Sequence, residues 1–322
     1  MRLIDLILKI ILLVIGFIVL IKGADFFVDG ASSVAGNFKV SKMLIGLTIV
    51  AFGTSAPEFA VSVKSLLSGS GDLVLGNVIG SNILNIVLIL GTASMFHSLN
   101  VTNNTVKKEL PITILMTTLL AVLISDNIFS RGESNMFTRS DGIVVLLFFM
   151  VFIYYLVSMA RNKVDEDSNE KYMSMGKAWI FTLLGLGGIV LGSNLVVDNS
   201  IEIAKIIGIS EKMIALTIVA LGTSLPELVT SITATRKGEY DIAIGNVVGS
   251  NIFNIGMVLG LPTAVLGGIS NITFSNIDLI IMLVSAILLF IFSFNDRKIA
   301  RKEGLVFLLM FVLYYGYVLY RG

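Results

Sequence analysis

Ten apolar runs, each long enough to cross a hydrocarbon core of about 30 Å, constrain this chain more than any other feature. The chain is 55% hydrophobic and 14% charged, whereas soluble domains average about 45–50% apolar and about 25% charged residues. We therefore expect an all-α membrane protein with ten transmembrane helices. The runs are residues 4–27, 43–67, 73–95, 110–125, 141–160, 178–198, 213–235, 242–266, 276–294 and 304–320.

The positive charges are divided unequally between the two sets of loops. One set carries fourteen Lys and Arg residues and the opposite set carries seven. Because short loops rich in Lys and Arg stay in the cytoplasm, we predict a multi-pass protein of the cell membrane with both termini extracellular. The charged stretch 161–177 is predicted to be a cytoplasmic linker between a first unit, 1–160, and a second unit, 178–322.

The two units contain an internal repeat. Residues 25–91 align without a gap to residues 194–260, and 29 of the 67 positions are identical. The matches are densest in AFGTSAPE (51–58) with ALGTSLPE, and in GNVIGSNILNI (76–86) with GNVVGSNIFNI. Five spans is an odd number, so the second copy enters the membrane with the opposite polarity. Such inverted repeats are typical of secondary transporters, which bind substrate at the midplane between interrupted helices.

Each repeat places one glutamate, Glu58 or Glu227, near the middle of an apolar run. A carboxylate at that depth costs about 3 kcal/mol, so each needs a partner or a cation. The Gly-Thr-Ser string and the proline before each glutamate predict a helix break at the midplane. Freed carbonyls are tolerated in a bilayer only where they line a cavity or hold an ion. Ser-x-x-Glu is also the pattern of a capping box, but a cap does not neutralise a buried carboxylate.

Neutral oxygen donors surround the two glutamates in sequence. Taken singly, such residues are equally well explained as hydrogen-bonding groups between helices. Together with the carboxylates, and with no Cys and a single His in the chain, they indicate a hard-cation site for Ca²⁺ or Na⁺. No resident cofactor is expected. A net charge of +1 is too small to indicate binding to nucleic acid. The candidate donors are Thr54, Ser55, Ser81, Asn85, Thr223, Ser224, Ser250 and Asn254, with the backbone carbonyls of Ala51 and Ala220.

At these residues the sequence resembles the cation/calcium exchanger superfamily, and within it the prokaryotic Na⁺/Ca²⁺ exchangers. The paired strings GTSAPE and GTSLPE, each followed by a GNV-x-GSN block in the next span, carry the resemblance. It implies a Na⁺/Ca²⁺ antiporter working by alternating access, in which the first and sixth spans form a long tilted pair that slides. It also implies that Glu58 and Glu227 bind both ions, helped by carbonyls and hydroxyls of Thr54 and Thr223. The implied Na⁺ sites use Ala51, Ser55, Ser81, Ala220, Ser224 and Ser250.

One position departs from part of that superfamily. Asn254 stands where some prokaryotic relatives and the potassium-dependent exchangers carry Asp, so potassium dependence is not expected. The residues leave other functions open: an H⁺/Ca²⁺ antiporter with protonated glutamates, an ion channel, and an intramembrane enzyme. An enzyme would need a base beside a Ser nucleophile, and His97 at a span end is the sole imidazole. We therefore expect a transporter and no catalytic residues.

Overall fold

The computed structural model describes residues 2–125, 135–161, 171–209, 217–218, 220–272 and 275–321. Within these residues the fold is mainly helical. Seven described helices are long and apolar enough to cross a membrane, and the pair α2 and α3, bent by 45°, adds an eighth. The helices are α1 (Arg2–Phe38), α2 (Lys42–Thr54), α3 (Ala56–Leu67), α4 (Gly71–Phe96), α5 (Leu110–Ile124), α6 (Arg139–Arg161), α7 (Met175–Ile206), α8 (Ala220–Gly222), α9 (Leu225–Arg236), α10 (Tyr240–Leu266), α11 (Asn276–Asp296) and α12 (Arg301–Arg321).

Helices α4 and α10 form the centre of the molecule. In their most apolar stretches 72% and 94% of the residues are buried, against 17% in both α1 and α12. Large apolar side chains such as Leu147, Leu184 and Leu313 point outward and are more than half exposed. A helix that is apolar all round belongs inside a bundle or in lipid, and here the inner pair carries the two GNV-x-GSN blocks.

Helices α1 and α7 are the longest described, with 37 and 32 residues, and they cross in close contact at glycines. A Cβ on Gly23 would lie 2.6 Å from the Ile189 nitrogen, and one on Gly30 would lie 2.5 Å from the Thr182 nitrogen. The backbones touch because no side chain intervenes. As residue numbers rise along α1 the partners fall along α7, so the two helices run antiparallel.

The first helix extends beyond the predicted run 4–27 and ends at Phe38. Asp25 lies within that run, and Asp29 lies in the additional turns. In the structure both aspartates pair with Lys237, at 3.5 Å and 2.7 Å. Because a helix satisfies its own backbone groups, paired acidic side chains do not end it.

Two other predicted segments differ from a simple span. The run 110–125 forms α5, only 15 residues long, which is preceded by a π-helical turn at Thr105–Glu109. The run 213–235 falls partly outside the described residues, and α8 and α9 cover its later part. Most of the linker predicted at 161–177 also lies outside the described residues, so the boundaries of the two units stay a prediction.

Short strand pairings in the loops add to the helical fold, and the sequence did not predict them. Both pairings are antiparallel and two-stranded. They join loops that are far apart in the chain, because exposed backbone groups outside the helices still need partners. Strand β1 (Leu99–Asn100) pairs with β4 (Lys298–Ile299), and β2 (Asn135–Phe137) pairs with β3 (Ile269–Ile272).

Candidate cation site

The two glutamates follow breaks in helical structure. Ser55 separates α2 from α3 with φ −83° and ψ 5°, and Ser224 precedes α9 with φ −86° and ψ 3°. Pro57 and Pro226 occupy the first turns of the helices that follow. Proline suits that turn because its missing N–H has no helical acceptor there. The predicted breaks are therefore confirmed at these positions.

The serines at the breaks do not act as helix caps through their side chains. Neither Ser55 nor Ser224 makes a side-chain cap hydrogen bond, so the capping-box interpretation is wrong. Instead the Ser55 hydroxyl donates to Oε1 of Glu227 at 3.1 Å. The Ser224 hydroxyl donates to the Ser81 hydroxyl at 3.4 Å. Both bonds connect the first repeat to the second.

Glu58 and Glu227 are buried carboxylates with too few partners. Glu58 is 0% exposed and Glu227 is 1% exposed, and they lie close enough for their charges to interact. Both oxygens of Glu58, and Oε2 of Glu227, have no hydrogen-bond partner among the residues that the structure describes. Among the described residues neither carboxylate forms a salt bridge. Two buried negative charges in this state require a cation or a proton.

Neutral oxygens without partners accompany them. Asn85 is 1% exposed and Asn254 0% exposed, and the Oδ1 atom of each has no hydrogen-bond partner. The Ser250 hydroxyl is buried and equally unpartnered. Asn85 and Asn254 each begin a π-helical segment, a wide turn that often occurs at functional sites. Helix α3, which carries Glu58, packs against the π segment that begins at Asn254.

The remaining candidate donors lie next to the two helix breaks. Thr54 is fully buried, and its hydroxyl lies 2.9 Å from Oδ1 of Asn246 and 3.1 Å from a carbonyl one turn back. The Ala51 carbonyl accepts from the amide that follows α2 at 3.0 Å, and the Thr54 hydroxyl lies 3.3 Å from the same oxygen. Thr223 is half-buried beside its break. Ala220 is the first residue of α8, and its side chain lies outside the described part.

The sequence did not identify a pair of asparagines that support the glutamates. The Nδ2 of Asn77 donates to the backbone carbonyl of Glu58 at 3.0 Å and to a serine hydroxyl one turn later at 3.1 Å. The Nδ2 of Asn246 makes the equivalent bonds at Glu227, at 3.4 Å and 2.9 Å. Their recurrence in both GNV strings is the signal that could have found them.

A second pair, Asn82 and Asn251, was also missed. Each donates its Nδ2 to the backbone carbonyl of the other, at 3.2 Å and 3.3 Å. The Oδ1 of Asn251 accepts from Nδ2 of Asn85 at 2.9 Å, and the Oδ1 of Asn82 accepts from Nδ2 of Asn254 at 3.0 Å. These four bonds join α4 to α10 through equivalent atoms of the two repeats.

The chemistry available at this site is oxygen coordination. No group of three or more His, Cys, Asp or Glu residues able to hold a metal is found in the described part of the chain. A cation here would depend on two carboxylates and several neutral oxygens. Carboxylate, amide, hydroxyl and carbonyl oxygens suit Ca²⁺ and other hard cations.

Comparison with known proteins decides the family. A model described as sodium/calcium exchanger protein matches residues 8–158 and again 177–320. The chain belongs to the sodium/calcium exchanger family. The family resemblance expected from the GTS-x-PE strings is therefore confirmed, and the chain is a multi-pass membrane transporter.

Two relatives of this chain match over most of their length. It is 32% identical over 341 residues to the sodium/calcium exchanger MaX1 of Methanosarcina acetivorans, covering 94% of this chain and 96% of the relative. It is 37% identical to the inner membrane protein YrbG of Escherichia coli K12, covering 86% of each. Among solved structures, the sodium-calcium exchanger NCX_Mj soaked with 10 mM Na⁺ and no Ca²⁺ matches with a TM-score of 0.83 and 31% identity, covering 96% of this chain and 98% of that one.

Proposed function

We propose that this family member exchanges Na⁺ for Ca²⁺ across the cell membrane by alternating access. Ca²⁺ and Na⁺ compete for one midplane site built on Glu58 and Glu227. The observation that carries the proposal is the pair of buried carboxylates, of whose four oxygens only Oε1 of Glu227 has a hydrogen-bond partner in the described part of the chain. Such a pair is stable in a bilayer only when a cation or protons neutralise it.

The charge and the donors favour Ca²⁺ as the divalent ion. Two carboxylates balance one divalent cation. Ca²⁺ accepts six to eight oxygens in loose geometry, whereas Mg²⁺ demands near-octahedral geometry and gives up its waters reluctantly. The ligand set we propose for Ca²⁺ and Na⁺ together is Glu58, Glu227, Thr54, Thr223, Ser55, Ser224, Asn85, Asn254, Ser81, Ser250 and the carbonyls of Ala51 and Ala220.

Competition between the ions explains exchange. Two Na⁺ ions neutralise the same two carboxylates, so a Na⁺-loaded site and a Ca²⁺-loaded site are alternatives. If more than two Na⁺ move for each Ca²⁺, the loaded carrier has a net positive charge and transport is electrogenic. Uptake of Na⁺ down its gradient then drives Ca²⁺ outward.

The architecture we propose has ten spans in two inverted repeats. Three observations support it: the antiparallel contact between α1 and α7, which begin the two units, the double match of the family model, and hydrogen bonds that recur at equivalent positions 169 residues apart. Two copies of opposite polarity allow the same site to open to either side. With the excess of Lys and Arg inside, both termini are extracellular and the loop between the units is cytoplasmic.

Alternating access then requires one part of the molecule to move past another. We assign the fixed part to α4 and α10, which the asparagine bonds join across the repeats. The moving part is the pair α1 and α7. Glycine backbones hold these two helices in close contact with each other, so the pair can move as one unit past the rest of the molecule.

The experiment is Ca²⁺ uptake into proteoliposomes preloaded with Na⁺. An outward Na⁺ gradient should drive uptake by the wild type, and Glu58→Gln and Glu227→Gln should abolish it. Glu202→Gln is the matched control, because Glu202 is 46% exposed and pairs only with Lys205 in the described structure. Full uptake by Glu58→Gln would refute the proposed site.

A pH gradient in place of the Na⁺ gradient tests the H⁺/Ca²⁺ alternative, because the same carboxylates can bind protons. Uptake driven by protons without Na⁺ would assign the protein to that class. Single-channel currents far above carrier turnover would instead indicate a channel.

A further inference from the structure

We infer that Asn82 and Asn251 are positioning residues, which orient the side-chain amides of Asn254 and Asn85 so that each turns its oxygen toward the cation site. The inference rests on the proposed function. It assigns a role to two asparagines that lie next to the ion ligands in the fold without being ligands themselves.

The orientation of the Asn82 amide is fixed by a backbone atom that has only one hydrogen-bonding role. Nδ2 of Asn82 lies 3.2 Å from the carbonyl oxygen of Asn251, and a carbonyl can only accept. Exchanging Oδ1 and Nδ2 of Asn82 would place two acceptors against each other in a site that is 1–2% exposed. The carbonyl therefore fixes the orientation of the Asn82 amide.

The orientation passes from Asn82 to Asn254. With Nδ2 committed to the carbonyl, Asn82 presents Oδ1 on its other side, and this atom accepts from Nδ2 of Asn254 at 3.0 Å. Asn254 must place its NH₂ group there, because its oxygen would be repelled. Its Oδ1 consequently faces the opposite direction, where it is buried and has no hydrogen-bond partner.

An equivalent series of hydrogen bonds orients the side-chain amide of Asn85. Nδ2 of Asn251 donates to the Asn82 carbonyl at 3.3 Å, and Oδ1 of Asn251 accepts from Nδ2 of Asn85 at 2.9 Å. The Oδ1 of Asn85 is left buried and unpartnered. Each repeat thus orients the neutral ligand of the other repeat, and both oxygens are set before any ion arrives. Preorganised ligands bind more tightly because no ordering cost remains.

A side-chain amide of Asn254 that could turn over freely would lose this preorganisation. Without Asn82, the NH₂ group and the oxygen of Asn254 become interchangeable, and an NH₂ group facing a cation is repelled. Replacing partners that orient metal ligands typically costs 10–100-fold in affinity. We expect Asn82→Leu to raise the KM for Ca²⁺ by about that factor while the maximal rate of Na⁺-driven uptake is retained.

A double-mutant cycle separates orientation from packing. Asn254→Asp replaces the amide by a carboxylate, in which both branches are oxygens and no orientation is needed. In that background Oδ1 of Asn82 faces a carboxylate oxygen and repels it. Asn82→Leu removes this repulsion, so it should no longer weaken Ca²⁺ binding and should even strengthen it. Loss of packing, or of the bond to the Asn251 carbonyl, would act equally in both backgrounds and cancel.

The measurements are the KM of Na⁺-driven Ca²⁺ uptake and the Ca²⁺-induced rise in melting temperature of the purified protein, which reports binding without transport. Asn199→Leu is the matched control, since Asn199 is 5% exposed and donates to a carbonyl of its own helix. Asn251→Leu with Asn85→Asp forms the mirror-image cycle, in case one set fails to fold.

The outcomes are distinct. Equal weakening by Asn82→Leu in both backgrounds, or no change in either, would overturn the positioning role. A wild type that binds Ca²⁺ with the expected cycle but shows no Na⁺-driven uptake would overturn the proposed exchange and leave the positioning role intact.

Discussion

The hydroxyl of Ser55 donates a hydrogen bond to the carboxylate of Glu227, a residue 172 positions later, at 3.1 Å. Ser224, the equivalent of Ser55 in the second repeat, contacts the Ser81 hydroxyl at 3.4 Å. The two serines match in sequence but donate to different acceptors at the candidate site. This difference supplies a direct comparison between two conservative substitutions.

Ser55→Ala should weaken cation binding more than Ser224→Ala does. A hydrogen bond to a charged group contributes about 1.5–3 kcal/mol, and Ser55→Ala removes the bond to Oε1 of Glu227. We expect about a tenfold higher KM for Ca²⁺ in Ser55→Ala, near the lower end of that range. Proteoliposome uptake measures both variants, and equal effects would contradict the assignment of Ser55 to Glu227.

Glu58→Gln should stabilise the cation-free protein while abolishing exchange. In the absence of ions the two buried carboxylates repel each other, and a neutral amide removes that repulsion. The melting temperature in chelator should rise by a few degrees, and the further rise on adding Ca²⁺ should disappear. For the wild type that further rise corresponds to about 2.7 kcal/mol at 100 times Kd.

The same melting experiment has its own control in Glu202→Gln. This glutamate is on the exposed surface of α7, so both the melting temperature in chelator and the Ca²⁺ response should remain at wild-type values. A lower melting temperature for Glu58→Gln in chelator would mean that Glu58 is satisfied by a group other than a cation.

Gly185→Ala should destabilise the contact between α1 and α7, whereas Gly187→Ala should not. A Cβ on Gly185 would lie 2.3 Å from the Phe27 nitrogen, while nothing lies within 4 Å of one on Gly187. Overpacking of this kind costs about 1–3 kcal/mol, and alanine in an open helical position gains up to about 1 kcal/mol over glycine. Thermal unfolding in detergent should give shifts of opposite sign, and shifts of equal sign would argue against backbone contact there.

Arg321→Ala should destabilise the end of the chain. Arg321 lies 2.6 Å from Oδ2 of Asp278, which is 0% exposed, while the arginine is 39% exposed. Its removal leaves a buried carboxylate, so the cost should fall between the roughly 0–1 kcal/mol of an exposed pair and the roughly 3–5 kcal/mol of a buried one.

Adding Asp278→Asn to Arg321→Ala should recover part of that loss, because the uncompensated charge is gone. Lys205→Ala is the control, since both members of the Lys205–Glu202 pair are about half exposed and its loss should be small. A double variant less stable than Arg321→Ala would contradict this account.

Much of the site could be predicted from sequence because its chemistry is unusual for its surroundings. Glu58 and Glu227 are conspicuous in apolar runs, and the proline after each Gly-Thr-Ser string predicts the break. These signals are local, because a charge in an apolar run or a missing N–H inside a helix is costly whatever the rest of the fold. The described structure agrees with both the burial and the breaks.

The asparagines could not be sorted in the same way. Three asparagines lie within nine residues of one another, at Asn77, Asn82 and Asn85. All three side chains can form hydrogen bonds between helices. Which of them turns an oxygen inward depends on the register of α4 against α10, a contact between repeats far apart in the chain. Likewise, the extension of α1 to Phe38 was not predicted, because Lys237, which pairs with Asp25 and Asp29, is distant in sequence.

Within the described residues Glu58 and Glu227 have no positively charged partner, and under the proposed exchange this absence protects the ion gradients across the membrane. A carrier that returned empty through its closed intermediate would have to enclose two bare negative charges in a medium of low permittivity, a step with a high barrier. An arginine or lysine beside the pair would remove that barrier and permit futile cycling. A carrier of the proposed kind, in which only the transported ion neutralises the two carboxylates, would return across the membrane only with an ion bound, and electrostatics would then suppress leakage.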